Sequence, residues 1–280
     1  MDVKRPRIVA ISSGKGGVGK TFVTLQLAAA LAALKKSVVL FDGDFGLANL
    51  HVLLGMKPEF DISAVVSGAK TLPEIMIDGP LGMRIIPGAS GVREMAELDG
   101  VGIAKVLQDL NAITPVPDVL LIDTGTGIGN HVTTLARLAD VLLVVVRDEP
   151  ASLADAYGLI KVMNRDFGYQ KIEIIINDTS NAQRAEAVFA RLNEVSTRFL
   201  GLPLTLAGLI PHDGSVPQAT RRREMLVQRA ESPAATAIRK IAASIAALPP
   251  IVEPQTFLSI ARPNACRRRR ESARLLRSRR

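Results

Sequence analysis

The sequence feature that most constrains the fold is a glycine-rich run that contains two lysines. Residues 14–21 read Gly-Lys-Gly-Gly-Val-Gly-Lys-Thr and satisfy the pattern G-x-x-x-x-G-K-[ST]. A strand-like run precedes it and an apolar helical pattern follows it, which is the context that this motif requires. Such a turn points several backbone N–H groups at one place, so the motif predicts a phosphate-binding loop. A purely structural glycine turn is the alternative.

The residue types inside this loop indicate what it would bind. Lys20 would reach the β- and γ-phosphate oxygens, and the Thr21 hydroxyl would bind Mg²⁺. We therefore expect ATP and Mg²⁺ as cofactors. The predicted nucleotide-binding residues of this region are Gly14, Lys15, Gly16, Gly17, Val18, Gly19, Lys20, Thr21 and Phe22.

Short apolar runs alternate with longer helical patterns over the first 250 residues. This alternation predicts an α/β fold, in which a doubly wound, mostly parallel sheet carries helices on both faces. The predicted strands are Arg7–Ser12, Ser37–Phe41, Met83–Pro87, Val119–Asp123, Val141–Val146, Ile172–Asn177 and Leu204–Pro211. The predicted helices are Lys20–Leu34, Gly102–Ala112, Gly129–Leu138, Ser152–Phe167, Ala182–Phe199 and Ser232–Leu248.

The positive charge of the chain is concentrated at its C-terminal end. Of the formal net charge of +8, residues 251–280 supply +7 through nine Arg and two Glu. Because the Pro249-Pro250 pair ends the last helical pattern, we expect a nucleotide-binding domain over residues 1–250. Residues 251–280 are expected to form an Arg-rich, disordered tail. The near-neutral domain does not indicate sequence-specific contact with nucleic acid.

The number of cysteines and the hydropathy of the chain restrict the classes of protein to which it could belong. Cys266 is the sole cysteine, which excludes an internal disulfide and fits a reducing compartment. It also excludes an electron carrier or an iron–sulfur carrier, since these need paired cysteines. The sequence contains no run of about 18 uninterrupted apolar residues, so it does not predict a membrane-spanning helix. We therefore expect a cytoplasmic protein.

Aspartates follow two apolar strands at the edge where open α/β sheets bind their ligands. One strand leads into Asp42 and Asp44, and another leads into Asp123. A carboxylate at such a position holds Mg²⁺, often through water, or positions an attacking water. A helix N-cap is the alternative for either strand end taken alone, and Asp42 also fits a structural role.

Lys15 is an additional lysine that cannot easily fold back onto the nucleotide already served by Lys20. The eight-residue run resembles the deviant Walker A motif of the MinD/ParA family, which shares its P-loop NTPase fold with nitrogenase reductase. In that family the first lysine reaches the phosphates of the nucleotide in the opposite subunit. The resemblance implies an ATP-dependent homodimer in which Lys15 acts in trans, much as an arginine finger does. A solvent-exposed lysine is the alternative.

The same resemblance assigns chemistry to several residues. It implies that Asp44 aligns the hydrolytic water and that Asp123 lies in the second shell of the magnesium. The predicted catalytic residues are then Lys15, Lys20 and Asp44, and the predicted metal residues are Thr21, Asp44 and Asp123. The resemblance also implies ATP hydrolysis, for which we expect slow basal turnover, because a regulatory switch gains from a long-lived ATP state.

The resemblance further places the adenine base against Asn177, and against Pro211 and Asp213 after the Ile-Pro pair of the last strand. From chemistry alone, these positions fit a turn asparagine and a helix N-cap aspartate equally well.

Four longer stretches narrow the resemblance to one branch of the family. Residues 42–55, 79–98, 148–168 and 196–213 are similar to the flagellar-number regulators FlhG, also called FleN. The run DEPASLADAYGLIKVMNRDFG at 148–168 is the most specific, since general MinD proteins do not share it. The resemblance implies control of flagellar number and placement. It also implies two partners, the signal-recognition-type GTPase FlhF and a flagellar master transcription regulator.

A MinD-like cell-division-site regulator and a ParA-like DNA-partition ATPase stay open as alternatives. The triplet Arg221-Arg222-Arg223 fits either a DNA-binding patch or a solvated helix face. The tail arginines predict weak attraction to anionic lipid at the inner face of the cell membrane, or else a disordered extension without a specific role. His51 stands where the family often has aspartate, and either neutral drift or a modified surface contact accounts for it.

Overall fold

The computed structural model describes residues 3–45, 48–90, 106, 109–110 and 113–253. Its body is an eight-stranded sheet with helices on both faces. The strands of the described chain are β1 Val3–Arg5, β2 Arg7–Ser13, β3 Val38–Gly43, β4 Ile77–Asp78, β5 Arg84–Ile86, β6 Val119–Thr126, β7 Val141–Val146, β8 Ile172–Thr179, β9 Thr205–Pro211 and β10 Ile251–Glu253.

The helices of the same residues are four short ones and five that cover the sheet. The short helices are α2 Leu50–Leu54, α3 Ile62–Val66, α4 Leu72–Ile75 and α8 Val216–Arg222. The others are α1 Lys20–Ala33, α5 Asn130–Ala136, α6 Pro150–Arg165, α7 Ala182–Leu200 and α9 Pro233–Ala246. Two single 3₁₀ turns are also present, at Pro80–Gly82 and Leu226–Gln228.

The strand order of the sheet is β4-β5-β3-β6-β2-β7-β8-β9. The neighbouring strands from β5 to β9 in this order run parallel, and β4 pairs antiparallel with β5. β2 lies in the middle, and the chain leaves it to build the sheet outward in both directions. This is a topological switch point, beside which open α/β sheets bind their ligands.

The core explains why β2 is apolar at consecutive positions. Side chains of a strand alternate between faces, so Ile8 and Ala10 pack into one hydrophobic layer, with residues of α5, α6 and α7. Val9 and Ile11 pack into the opposite layer, with α1 and α9. All four side chains are buried. A strand covered on both faces therefore holds the loop that follows it in a fixed position.

The predicted doubly wound α/β class is confirmed, and every predicted strand is present with ends that differ by three residues or fewer. Five predicted helices are present. The sixth, Gly102–Ala112, falls outside the described residues except for 106 and 109–110. The structure adds the short helices, which the sequence did not predict because one or two turns show no clear periodicity. Two of them rely on local capping, by Asp61 for α3 and by a Thr71–Glu74 capping box for α4.

The fold continues three residues past the predicted boundary at 250. β10 pairs antiparallel with β1, from Val3 opposite Glu253 to Arg5 opposite Ile251. Arg5 fixes this pair to the main sheet, since its two terminal nitrogens each lie 2.7 Å from an oxygen of Asp140. The rest of the predicted tail, residues 254–280, lies outside the described residues.

Candidate functional site

The glycine-rich loop connects β2 to α1, as its flanking patterns predicted. Gly17 and Gly19 have φ angles of +79° and +90°, which L-residues with side chains rarely adopt. A Cβ on Gly19 would also lie 2.4 Å from Nδ2 of Asn177. The Asn177 amide in turn donates to the carbonyl of Val18 at 2.8 Å. The end of β8 therefore braces the loop from outside, and only glycine fits at position 19.

Gly14 starts the loop under a different constraint. A Cβ at this position would lie 2.2 Å from the backbone of Asp155 in α6. Helix α6 thus packs directly on the first residue of the loop. The stretch 148–168, which carries the most specific part of the resemblance, supplies the residue that contacts Gly14. It contains α6 and the turn that precedes this helix.

Lys20 and Asp123 form a buried ion pair at the centre of the site. Lys20 Nζ lies 3.0 Å from Asp123 Oδ1, and the two side chains are only 4% and 1% exposed. The Thr24 hydroxyl donates to the same oxygen at 2.9 Å. Asp123 Oδ2 is buried and has no hydrogen-bond partner among the described residues. Since a buried, unsatisfied carboxylate oxygen is costly, the arrangement fits a nearby cation or cation-bound water.

Two more carboxylates stand beside this pair. Asp42 lies opposite Asp123 in the β3–β6 register, and burial together with the Asp123 charge raises the pKa of Asp42 to about 7. Burial also raises the pKa of Asp44, while Lys20 opposes that rise. Asp42 Oδ2 accepts from the backbone N–H of Leu50 at 3.0 Å, which places it in a structural role at the start of α2.

A cavity of about 360 Å³, here called the loop cavity, opens above the glycine-rich loop. It brings together six predicted nucleotide-binding residues and the predicted water-positioning residue. Its lining residues are Ser13, Gly16, Gly17, Gly19, Lys20, Thr21, Phe22, Asp44, Asn49 and Thr126. Hydroxyls, a lysine and a carboxylate meet glycine backbone here, which is the donor set that a magnesium-bound polyphosphate needs.

A second cavity of about 240 Å³, the side cavity, lies on the other side of Gly17, Gly19 and Phe22. It contains the residues that were predicted to contact the base. Its lining residues are Gly17, Val18, Gly19, Phe22, Arg147, Asn177, Asp178, Ile210, Pro211, His212, Asp213, Val216, Pro217, Thr220 and Ala234. Because the two cavities share loop residues, one ligand with a polar chain and a flat apolar end would fill both.

The Asp213 carboxylate joins two elements of the side cavity. Oδ1 accepts from the backbone and hydroxyl of Ser215, at 2.8 and 2.6 Å. Oδ2 accepts from the Ser232 hydroxyl at 2.5 Å and from the Ala234 N–H at 3.3 Å. Burial alone would raise the pKa of Asp213, but these hydrogen bonds, from Ser215 first, lower it to about 2. The carboxylate thus shapes the cavity by holding the start of α9 against the end of β9.

Lys15 lies away from both cavities. Its Nζ lies 2.5 Å from Oε2 of Glu149, and the two side chains are 38% and 40% exposed. The hydrogen bond from Lys15 and its charge lower the pKa of Glu149. The structure therefore pairs this lysine within its own chain, across the gap between the loop and the start of α6.

Comparison with known proteins agrees with this geometry. Residues 9–227 match the sequence profile of the CobQ/CobB/MinD/ParA nucleotide binding domain. The chain belongs to the MinD/ParA family of nucleotide-binding proteins.

Individual relatives show which members of the MinD/ParA family this chain resembles most. The chain is 39% identical to the antiactivator FleN of Pseudomonas aeruginosa over 253 residues, which cover 90% of each chain. It is 29% identical to the flagellum site-determining protein YlxH of Helicobacter pylori, over 81% of this chain and 80% of that one. The MinD of Pyrococcus horikoshii, solved with Mg-ADP, superposes with a TM-score of 0.68 at 25% identity, over 86% of this chain and 96% of that one. Of these three relatives, the antiactivator FleN is the most similar to this chain in sequence.

Several residues of the site were not predicted. Ser13, Asn49 and Thr126 line the loop cavity, and Arg147, Asp178 and His212 line the side cavity. The ring centroids of His131 and Phe45 lie 6.3 Å apart, and His131 is next to Asp44. Burial lowers the pKa of His131, and the charge of Asp44 opposes this effect. Two of them could have been suggested by their place in the sequence, because Asp178 and His212 directly follow the predicted Asn177 and Pro211. Their side-chain contacts could be found only from the folded structure.

Two other features singled out in the sequence lie outside these cavities. His51 is in α2, with a buried Nδ1 that has no hydrogen-bond partner among the described residues. In the arginine triplet, Arg222 lies 3.9 Å from Glu224, and the guanidinium of Arg223 packs over Gly55. All three arginines are exposed, as a solvated helix face requires.

Replacing Asp213 with alanine should lower stability in a pH-dependent way. The folded pKa of about 2 lies below the usual 3.8, so the carboxylate stabilises the fold above pH 4 and loses this effect as the pH falls towards 2. Because the group is partly exposed, we expect a loss of only about 1 kcal/mol at pH 7. Urea unfolding of both proteins between pH 2 and 7 measures it.

The exposed Asp78 of β4 provides the matched control, and Asp78→Ala should lower stability at pH 7 much less than Asp213→Ala does. A deficit in Asp213→Ala that stayed constant down to pH 2 would contradict the assignment.

Proposed function

We propose that this chain is an ATP-dependent, dimerising regulatory ATPase that controls the number and placement of flagella. The observation that carries this proposal is the 39% identity to FleN over 90% of both chains. It is supported by a phosphate loop and the carboxylate of Asp44, which line one cavity. The name of YlxH refers to the flagellum site, and the MinD proteins among the relatives, at 28–32% identity, are less similar to this chain than FleN.

The residues of the loop cavity have separate tasks in this proposal. Backbone N–H groups of the loop and the start of α1 would hold the phosphates, and Lys20 would move from Asp123 towards them. Thr21 and, through water, Asp123 would hold Mg²⁺, which supplies charge neutralisation on the phosphates when bound. Asp44 would orient the attacking water. Asn177 and Pro211 would flank the base in the side cavity.

Lys15 would act on the nucleotide of a second subunit, as the MinD/ParA resemblance implies. Its ion pair with Glu149 then becomes a competing interaction that must open before the lysine extends across the interface. The pair is exposed, so its opening costs little, and it would set the ATP level at which subunits associate rather than block association.

We also propose the partners that the FleN resemblance implies, namely the GTPase FlhF and a flagellar master transcription regulator. Among the described residues, no helix is long and apolar enough to cross a membrane. Residues 254–280 carry nine arginines, for which we propose weak attraction to the inner face of the membrane. Sedimentation with anionic liposomes, with and without these residues, tests it, and equal sedimentation would rule it out.

Lys20→Ala and Asp44→Ala should separate binding from hydrolysis. Lys20→Ala removes the cation that contacts the phosphates, so it should abolish ATP binding. Asp44→Ala should bind ATP within about threefold of wild type and lose at least about 100-fold in turnover, because orientation of the attacking water is lost. Calorimetric titration and phosphate release measure the two properties, and normal turnover in Asp44→Ala would remove its assigned role.

Lys15→Ala and Glu149→Gln should shift dimerisation in opposite directions. Without Lys15 the ATP-dependent dimer should be lost. Glu149→Gln weakens the internal ion pair and should lower the ATP concentration for half-dimerisation by about two- to fivefold. Light scattering after size exclusion reports it, with Glu74→Gln of the exposed Lys70–Glu74 pair as the control. A weaker dimer in Glu149→Gln would mean that Glu149 supports the interface instead.

The cellular role is tested by deleting the gene in the organism that encodes it and counting flagella by electron microscopy. Altered number or position, restored by the wild-type gene but not by the Asp44→Ala form, is the expected result. Minicells with normal flagella would indicate a MinD-like role. Loss of plasmids or chromosomes with normal flagella would indicate a ParA-like role.

A further inference from the structure

Three charged or polar side chains form one wall of the side cavity. Arg147 and His212 directly follow β7 and β9, and Asp178 is the second-last residue of β8, which lies between those strands in the sheet. We refer to these three residues as the charged wall. The proposed function uses Asn177 and Pro211 for the base but gives the charged wall no role.

The contacts within the charged wall engage both oxygens of one carboxylate. Asp178 Oδ1 lies 2.7 Å from Nδ1 of His212. The guanidinium of Arg147 contacts the other oxygen, Oδ2. Arg147 also reaches Oε1 of Glu149 at 3.5 Å, so it bridges two acids and is fixed from both sides.

The backbone of Asp178 shows that this position is held against a conformational preference. Its φ angle is +58°, in the left-handed region that residues with side chains seldom occupy. Such conformations persist only when the surroundings fix them, and they concentrate at ligand sites. Here the pairing of β8 with β9 shifts register between Asn177 and Thr179, and Arg147 and His212 contact the carboxylate of Asp178. Asp178 also lines the cavity directly.

A carboxylate in this cavity would distinguish guanine from adenine, because the two bases present different hydrogen-bonding groups. Guanine presents two adjacent donors, N1–H and the N2 amino group, which a carboxylate accepts as a pair. Adenine presents an acceptor, N1, beside its amino group, and an exposed negative charge would repel that acceptor. An unmasked aspartate in a purine cavity therefore favours guanine. The same aspartate held by an arginine and an imidazole presents little net charge to the base.

We propose that Arg147 and His212 mask Asp178, and that this masking makes the side cavity select adenine over guanine nucleotides. The inference rests on the proposed function, because it assumes that the base enters the side cavity. It adds a specificity-determining contact to that site. Asp178 then carries a latent guanine preference that the two neighbouring residues suppress.

The test compares the affinities of ATP and GTP for four forms of the full chain. Wild type should prefer ATP. The double variant Arg147→Ala/His212→Ala exposes the carboxylate and should shift the affinity ratio towards GTP by at least about tenfold, as expected for charge-assisted hydrogen bonds gained by one base. Adding Asp178→Asn to the double variant should reverse most of this shift. Calorimetric titration with Mg²⁺ present measures each affinity without relying on turnover.

The ratio separates selectivity from simple damage, since a distorted cavity would weaken both nucleotides alike. Arg184→Ala is the matched control, because Arg184 pairs with Asp148 outside the side cavity, and its ratio should equal that of wild type. An unchanged ratio in the double variant, with ATP still bound by wild type, would overturn the masking inference alone. A wild-type chain that binds neither nucleotide would overturn the proposed function together with it.

Discussion

The ion pair between Lys20 and Asp123 is the interaction on which the rest of the site depends. A lysine and a carboxylate are buried together at 3.0 Å, and neither would tolerate burial alone. The pair holds the first turn of α1 against β6, the neighbour of β2 in the sheet, and so it fixes the end of the glycine-rich loop that connects β2 to α1. It also keeps a cation beside the buried Asp42, whose pKa is raised to about 7 chiefly by burial. A phosphate that attracts Lys20 must therefore disturb three charged groups at once, which links ligand binding to the ends of β3 and β6.

Sheet topology explains why a loop, two acids and a base-sized cavity meet in one place. β2 lies between β6 and β7, and all three end at the same edge. The carboxylates come from β3 and β6 on one side of β2, whereas Glu149, Arg147, Asp178 and Asn177 come from β7 and β8 on the other side. Ligand phosphates above the loop would lie between the two groups. A chain of ion pairs from Lys15 through Glu149 and Arg147 to Asp178 joins Lys15 to the side cavity.

Much of this could be predicted from the sequence because the signals were local. The phosphate loop, the parallel strands and the aspartates at strand ends follow from spacing and hydropathy, and the structure brings Lys20, Thr21 and Asp44 to one cavity. Contacts between distant residues could not be predicted. No local pattern reveals that Glu149 pairs with Lys15, that Asp213 bonds Ser232, or that Asp178 is held by two neighbouring strand ends. Short helices such as α2 also escaped prediction, because a single turn depends on capping and tertiary packing more than on periodicity.

The central claim is that ATP joins two copies of this chain, and the mass of the particle in solution tests it most directly. Analytical ultracentrifugation of the wild-type chain with Mg²⁺ and either ATP, ADP or no nucleotide gives that mass. The account predicts a dimer with ATP and a monomer in the other two conditions, because only the γ-phosphate offers Lys15 a stronger partner than Glu149. A monomer in all three conditions, or a dimer of equal strength without nucleotide, would contradict it.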